Sequence, residues 1–119
     1  MRNTYYHANK FYLNNKVVYQ RLILDQGFYP DGIYTAPSDQ ELLNDIKRSM
    51  DMGFNGARLH QKIFEPRFLY HCDVLGYLVW EEHANWGLDI SKDKAWESFI
   101  PEWLEILERD YNHPSIIGW

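Results

Sequence analysis

The chain has 119 residues, which is the length of one domain and too short for two domains with separate cores. Hydrophobic residues make up 45% and charged residues 24%, close to globular averages, which argues against disorder. The net charge of −5, without a stripe of Lys and Arg, argues against nucleic-acid binding, and the absence of a long apolar run argues against a membrane span. The single Cys72 excludes an internal disulfide and is interpreted as a small core residue.

The first elements predicted are β-strands. Residues 10–20 predict a hairpin, because two apolar runs flank the turn-forming residues 14–16. A further apolar run at 22–24 ends at Asp25. Residues 26–37 then form a long loop rich in Gly, Pro and aromatic residues, and a loop of this length in a small domain is more often functional than idle.

A first helix is predicted over residues 38–52. Ser38 is suited to cap it, Glu41 completes a capping box, and Gly53 ends it. Leu42 and Ile46 belong to its apolar stripe.

Strands and helices then alternate to the end of the chain. A short strand at 54–59 precedes a helix at 65–75 that begins with Pro66. The run at 77–80 is apolar on both faces, which is typical of a strand in a parallel sheet covered by helices.

The last predicted helix, near residues 96–110 with its core from Pro101 onward, carries the apolar stripe Trp103, Leu104 and Leu107. A fourth strand is predicted from Ser115.

This alternation predicts an α/β fold with a parallel sheet and right-handed crossovers. In such sheets ligands bind beyond the carboxyl ends of the strands. The polar and aromatic residues that follow the predicted strands are Asp25, Gln26, Arg58, His60, Gln61, Lys62, Glu81, Glu82, His83, Asn85 and Trp86.

Among these residues, Arg58 and a glutamate are expected to form an ion pair. Arg58 at a strand end needs a carboxylate partner, either as a structural ion pair or to hold a catalytic carboxylate in place. Glu81 and Glu82 are neighbours on a strand and point to opposite faces, and Glu82 is the one expected to face a pocket. Such neighbours are not the pair of carboxylates that a glycosidase needs across one bond. No metal or nucleotide motif is present, so we expect no cofactor.

Four stretches resemble the catalytic domain of glycoside hydrolase family 2, and together they span most of the chain. They are residues 12–27, residues 45–58 with Met-Gly-Phe-Asn-Gly-Ala-Arg, residues 66–82, and residues 109–119 with Arg-Asp-Tyr-Asn-His-Pro-Ser-Ile. The last is the most specific of the four. Residues 59–62 depart from the family form, Ser-His-Tyr-Pro, which indicates a divergent branch. The Glu and His that bind magnesium in some β-galactosidases also have no clear match after Glu82.

The resemblance implies a partial TIM (β/α)8 barrel, comprising about the first three βα units and the start of strand four, preceded by the hairpin. Residues 1–20 would be an N-terminal segment and 21–119 the truncated start of the barrel. The implied activity is that of a retaining glycoside hydrolase whose two catalytic Glu lie beyond Trp119, so the isolated chain is expected to be inactive.

The resemblance also implies which residues lie at or beside the sugar. These are Asp25, Arg58, His60, Glu82 and Trp86, with Arg58 supporting the nucleophile. The expected partners are a carbohydrate substrate, the rest of the barrel and flanking β-sandwich domains. A non-catalytic sugar-binding module and a structural α/β half-domain are the alternatives. The first residues do not form a signal peptide, as in a cytoplasmic protein.

Overall fold

The computed structural model describes residues 2–119, and its first part is a three-stranded antiparallel sheet. The strands are β1 (Thr4–His7), β2 (Lys10–Leu13) and β3 (Lys16–Val17). The predicted hairpin is therefore confirmed, with Asn14 and Asn15 both at positive φ as a tight two-residue turn requires. Strand β1 was not predicted.

The second sheet has four parallel strands in the order β4-β5-β6-β7. They are β4 (Leu22–Asp25), β5 (Gly56–Leu59), β6 (Leu78–Glu81) and β7 (Ile116–Gly118). Strand order follows chain order, so each crossover joins direct neighbours. The predicted parallel α/β class is confirmed.

Three helices provide the crossovers: α1 (Asp39–Asp51), α2 (Pro66–Leu75) and α3 (Asp93–Asp110). Ser38 caps α1 by accepting the Glu41 backbone N–H at 3.2 Å. The Glu41 carboxylate does not complete the predicted capping box, because it instead binds side chains further along the helix. Gly76 ends α2 in a left-handed conformation, as a C-terminal glycine does. None of these helices is both long and apolar enough to cross a membrane.

The main core lies between the parallel sheet and its helices. It joins strand residues Ala57, Leu59 and Val79 to Phe68 and Cys72 of α2. Cys72 is fully buried, as predicted. The other face of the sheet carries a smaller cluster at its amino end, described below.

The three-stranded sheet covers the amino end of the parallel strands. Phe11 of β2 packs with Leu78, the first residue of β6, and with Ile117, the second residue of β7. Arg2 reaches the same end and donates to the Pro114 carbonyl at 2.7 Å. This arrangement leaves the opposite, carboxyl end of the parallel sheet open for a ligand.

The helix predicted near residues 96–110 is confirmed as α3, which begins three residues earlier, at Asp93, and contains Pro101. The predicted apolar stripe was wrong at one position. Ile106 is the buried apolar residue, whereas Leu104 is exposed. Proline removes one hydrogen bond of a helix, and on either side of Pro101 the rings of Phe99 and Trp103 pack against His83.

Candidate functional site

Two charged side chains meet at the open carboxyl edge of the parallel sheet. Arg58 pairs in register with Trp80, and Glu82 lies two residues beyond Trp80, so both side chains point to the same face. Arg58 Nε donates to Glu82 Oε2 at 2.6 Å. The structure therefore pairs Arg58 with Glu82 rather than with Glu81.

This ion pair orients a carboxylate more than it stabilises the fold. The Arg58 side chain is 52% exposed, and exposed ion pairs contribute little to stability. The hydrogen bond that Arg58 donates to Glu82 holds the pKa of Arg58 above its ordinary value, so the guanidinium stays charged. Glu82 is consequently held by Arg58 through Oε2, while Oε1 is not bound by Arg58.

The second oxygen of Glu82 faces His60. The distance from Glu82 Oε1 to His60 Nε2 is 4.0 Å, too long for a direct hydrogen bond. Gln26 Nε2 lies 3.1 Å from His60 Nδ1, and an amide donating there places the ring proton on Nε2. A hydroxyl group beside this gap can accept from His60 and donate to Glu82, which is how proteins recognise sugar hydroxyls.

Asp25 does not join this cluster. Its Oδ1 accepts the Gly27 backbone N–H at 2.8 Å, and its side chain lines a separate cavity on the helix side, with Asp45 and Ser49. Burial is the main factor that raises the pKa of Asp25, while the Gly27 N–H opposes the rise. Asp25 thus organises the turn that leads into the long loop.

Trp86 lies beside His60 and is 80% exposed. The Gln61 side chain holds its backbone in place, since Gln61 Oε1 accepts the Asn85 and Trp86 N–H groups at 3.2 Å. Gln61 itself has φ +54°, a conformation that non-glycine residues rarely adopt and that is often found at functional sites. Gln61 was not among the predicted site residues, and its sequence position alone gave no signal of this conformation.

Glu81 is buried on the other face of β6. Its Oε2 accepts from Trp119 Nε1 at 2.9 Å, and its side chain is 1% exposed. Burial, with a further contribution from the nearby Asp110 carboxylate, raises the pKa of Glu81 to about 7. Arg109 holds Asp110 through two hydrogen bonds of 2.6 Å.

An aromatic cavity of about 500 Å³ adjoins the Arg58–Glu82 pair. Its aromatic wall comes from α3 and from His83, whose ring lies 4.3 Å from Phe99 and 5.5 Å from Trp103. Phe99 and Trp103 lie within the predicted helix, but the sequence carries no signal that their rings pack against His83 beside a cavity. Among residues 2–119, no three His, Cys, Asp or Glu side chains are grouped closely enough to hold a metal ion.

The chain is similar to proteins that cleave glycosides. A Formosa agariphila protein, provisionally named β-glucuronidase, is 34% identical over 110 residues, covering 92% of this chain and 13% of that protein. The β-galactosidase of Thermoanaerobacterium thermosulfurigenes is 31% identical over 124 residues, covering 99% and 16%. The crystal structure of Parabacteroides merdae β-glucuronidase matches with a TM-score of 0.84 and 26% identity, covering 98% and 15%. No protein-family model matches the chain.

These similarities define the class. The chain is homologous to glycoside hydrolases, and the assignment to glycoside hydrolase family 2 is confirmed by relatives named β-glucuronidase and β-galactosidase. The chain spans 13% and 16% of the length of the two relatives compared by sequence.

Proposed function

We propose that this chain is the first part of the catalytic barrel of a retaining glycoside hydrolase, and that its carboxyl edge supplies part of the sugar-binding surface. The observation that carries the proposal is the arrangement of Arg58, Glu82 and His60 at the open end of a parallel sheet in a chain homologous to glycosidases. The predicted residue Trp86 adds an exposed aromatic face next to them.

Each residue has a distinct role in this proposal. Glu82 accepts hydrogen bonds from sugar hydroxyls, His60 donates through Nε2, and Arg58 keeps Glu82 oriented and supports a nearby catalytic carboxylate. Asp25 contributes indirectly, because its contact with the Gly27 N–H shapes the loop beside the sugar. Charge-assisted hydrogen bonds of this kind are the strong ones, and they are what distinguishes one hydroxyl pattern from another.

The proposed domain organisation completes the sheet. Strands β4 and β7 each have one neighbour within residues 2–119, and their outer edges are available for pairing. We place these edges against further strands of a (β/α)8 barrel, with residues 1–20 as an N-terminal segment and 21–119 as the beginning of the barrel. Active sites of such barrels lie at the carboxyl ends of the strands, where Arg58, His60 and Glu82 stand.

The 119-residue chain alone should not hydrolyse glycosides. A retaining enzyme needs two carboxyl groups about 5–5.5 Å apart across one bond, one as acid/base and one as nucleophile. Glu81 is buried on the opposite face of β6, and Glu82 is engaged by Arg58. The resemblance assigns both catalytic Glu to positions beyond Trp119.

The test compares the 119-residue chain with the natural protein that contains it, using nitrophenyl β-galactoside, β-glucuronide and β-mannoside. Turnover by the natural protein alone is expected. Turnover by the short chain that disappears in Glu82→Gln would show that the catalytic carboxylate is misplaced here. If neither protein turns over any substrate while both bind sugar, a non-catalytic sugar-binding module is the correct reading.

A further inference from the structure

The buried carboxyl group of Glu81 has one oxygen that no donor reaches. Its side chain is 1% exposed, and Oε2 accepts the Trp119 Nε1–H at 2.9 Å. Oε1 is buried as well, and it has no hydrogen-bond donor among residues 2–119. A buried acceptor that has lost its water without gaining a partner is costly. The chemistry of the groups around Oε1 must therefore account for it.

A second buried carboxyl group, that of Asp110 at the end of α3, lies next to this oxygen. Asp110 is fully buried and within hydrogen-bonding reach of Glu81. Arg109 donates to both Asp110 oxygens at 2.6 Å, which keeps Asp110 ionised. Two adjacent buried carboxyl groups are not both ionised without a large cost. A proton on Glu81 Oε1 removes this conflict, because Oε1 then donates to Asp110.

The balance of charges around Glu81 favours this proton. Arg109 is the group that favours ionised Glu81, but its guanidinium is bonded to Asp110. The other charged side chains of the cavity have partners of their own: Arg58 with Glu82, and His83 with Glu102 and the Ala84 carbonyl. Burial, followed by the Asp110 carboxylate, raises the pKa of Glu81 to about 7.

These hydrogen bonds form a chain that ends in the wall of the aromatic cavity. At one end, Arg109 Nη2 donates to the Phe64 carbonyl at 3.0 Å, in the loop before α2. At the other end, Glu81 holds Trp119, whose ring lines the cavity beside the ion pair described above. Glu81 lines the same cavity, so a proton on its carboxyl group can exchange with solvent there.

We propose that Glu81 and Asp110 share one proton, and that protonated Glu81 is a positioning residue that holds the Trp119 ring in the cavity wall. When the proton leaves to solvent, two adjacent buried anions remain. Their repulsion separates Glu81 from Asp110 and displaces Trp119. Because the pKa of Glu81 is about 7, the wall is formed below that pH and is loosened above it. The consequence for catalysis rests on the proposed function, whereas the shared proton does not.

The shared proton is tested in the natural protein, labelled with 5-fluorotryptophan and followed by 19F NMR from pH 5 to pH 9. Trp119→Phe identifies the Trp119 resonance, which should move with a midpoint at about pH 7. In Glu81→Gln it should stay at its low-pH position, because the amide donates to Asp110 and the carbonyl accepts from Trp119. Glu105→Gln, on the exposed side of α3, should titrate like wild type.

Asp110→Asn provides an independent variant. The Asn amide can donate to Glu81, so Glu81 no longer needs a proton and titrates towards its ordinary value of 4.5. The Trp119 resonance should then stay constant from pH 5 to pH 9. A midpoint that remains at about pH 7 in either Glu81→Gln or Asp110→Asn would overturn the shared proton. A wild-type resonance that does not move in this range would overturn it as well.

The positioning role is tested by the pH dependence of kcat/KM for the nitrophenyl glycoside that the natural protein cleaves. Wild type should lose about tenfold between pH 6 and pH 8, as expected for one proton with a midpoint between them. Glu81→Gln should show only the fall that the catalytic carboxyl groups cause. A wild-type profile in Glu81→Gln, with Trp119 titrating as expected, would reject the positioning role. If wild type cleaves no glycoside, the proposed function fails, and the 19F titration still decides the shared proton.

Discussion

Glu81 illustrates how one buried carboxyl group couples the stability of this fold to pH. It is 1% exposed, lies near the Asp110 carboxylate, and has its pKa raised to about 7. In the unfolded chain the group titrates near its ordinary value of 4.5. Between these values the folded chain holds a proton that the unfolded chain has lost.

The first prediction follows from this difference. Stability should fall as pH rises from about 4.5 to about 7, because the raised pKa favours folding only while Glu81 is protonated. Glu81→Gln should remove this fall and raise the free energy of unfolding above pH 7 by on the order of 1–3 kcal/mol. The Gln carbonyl still accepts from Trp119. Urea denaturation at pH 5 and pH 8 measures both effects, with Glu105→Gln on the exposed side of α3 as the control. A gain that is equal at both pH values would show that Glu81 is not the titrating group.

At the scale of the elements, a single glycine controls how closely the parallel strands approach. A Cβ on Gly56 would lie 2.3 Å from the Leu78 carbonyl oxygen and 2.7 Å from a Leu22 side-chain carbon. The first contact is with backbone and cannot be relieved by rotating a side chain. Strand β5 is therefore suited to its place between β4 and β6 by the absence of a side chain at its first residue.

The second prediction is that Gly56→Ala destabilises the fold by about 1–3 kcal/mol or more, as overpacking does. The matched control is Gly53→Ala, where nothing lies within 4 Å and the cost is limited to a φ of +92°, about 1 kcal/mol. Guanidinium denaturation of both variants gives the comparison. A smaller loss for Gly56→Ala than for Gly53→Ala would contradict the close strand approach.

The elements best predicted from sequence are those whose ends are marked by capping or turn residues. Ser38 and Gly53 bound α1 because capping and left-handed turns are set by the residues themselves. Strand β1 escaped prediction because it is joined to β2 by Ala8 and Asn9, both at positive φ, and alanine gives no signal for that conformation. The start of α3 was predicted three residues late because Lys92, at the N-cap, makes no side-chain capping bond and so gives no start signal.

In the candidate site too, features set by local rules could be predicted and features set by long-range contacts could not. Pairing of Arg58 with Glu82 could be predicted, since strand alternation and the cost of an unpaired charge are general rules. The aromatic wall that α3 and His83 form could not, because it depends on how the helix packs over the strand ends. Gln61 and Lys62 gain their roles only from long-range contacts with residues 25–35 positions away.

At the scale of the whole molecule, the main feature is that the parallel sheet has two open edges. The outer edges of β4 and β7 have no partner strand within residues 2–119, and exposed apolar side chains lie near them. Leu24 on β4 is 53% exposed and Trp119 beyond β7 is 44% exposed. An unpaired edge strand presents a row of free N–H and C=O groups that favours pairing with another chain.

The third prediction concerns the 119-residue chain when it is purified by itself. It should associate as its concentration rises through the micromolar range, because edges of this kind pair between chains. Leu24→Lys should weaken the association, and Val74→Lys, which adds the same charge at an exposed position of helix α2, should not. Sedimentation at several concentrations measures this. A monodisperse monomer that melts cooperatively above about 65 °C, the upper end for ordinary domains, would refute the prediction.

The cover at the amino end of the sheet also sets an order of events in folding. Strands β1 to β3 pair through short turns, and such contacts form within microseconds. Phe11, however, finds its apolar partners in Leu78 and Ile117, and Arg2 bonds to Pro114 across 112 positions. During synthesis Phe11 can therefore complete this cluster only after residue 117 has left the ribosome. The docking of this sheet closes a loop of more than 100 residues, and it should be a slow step in the folding of this part of the protein.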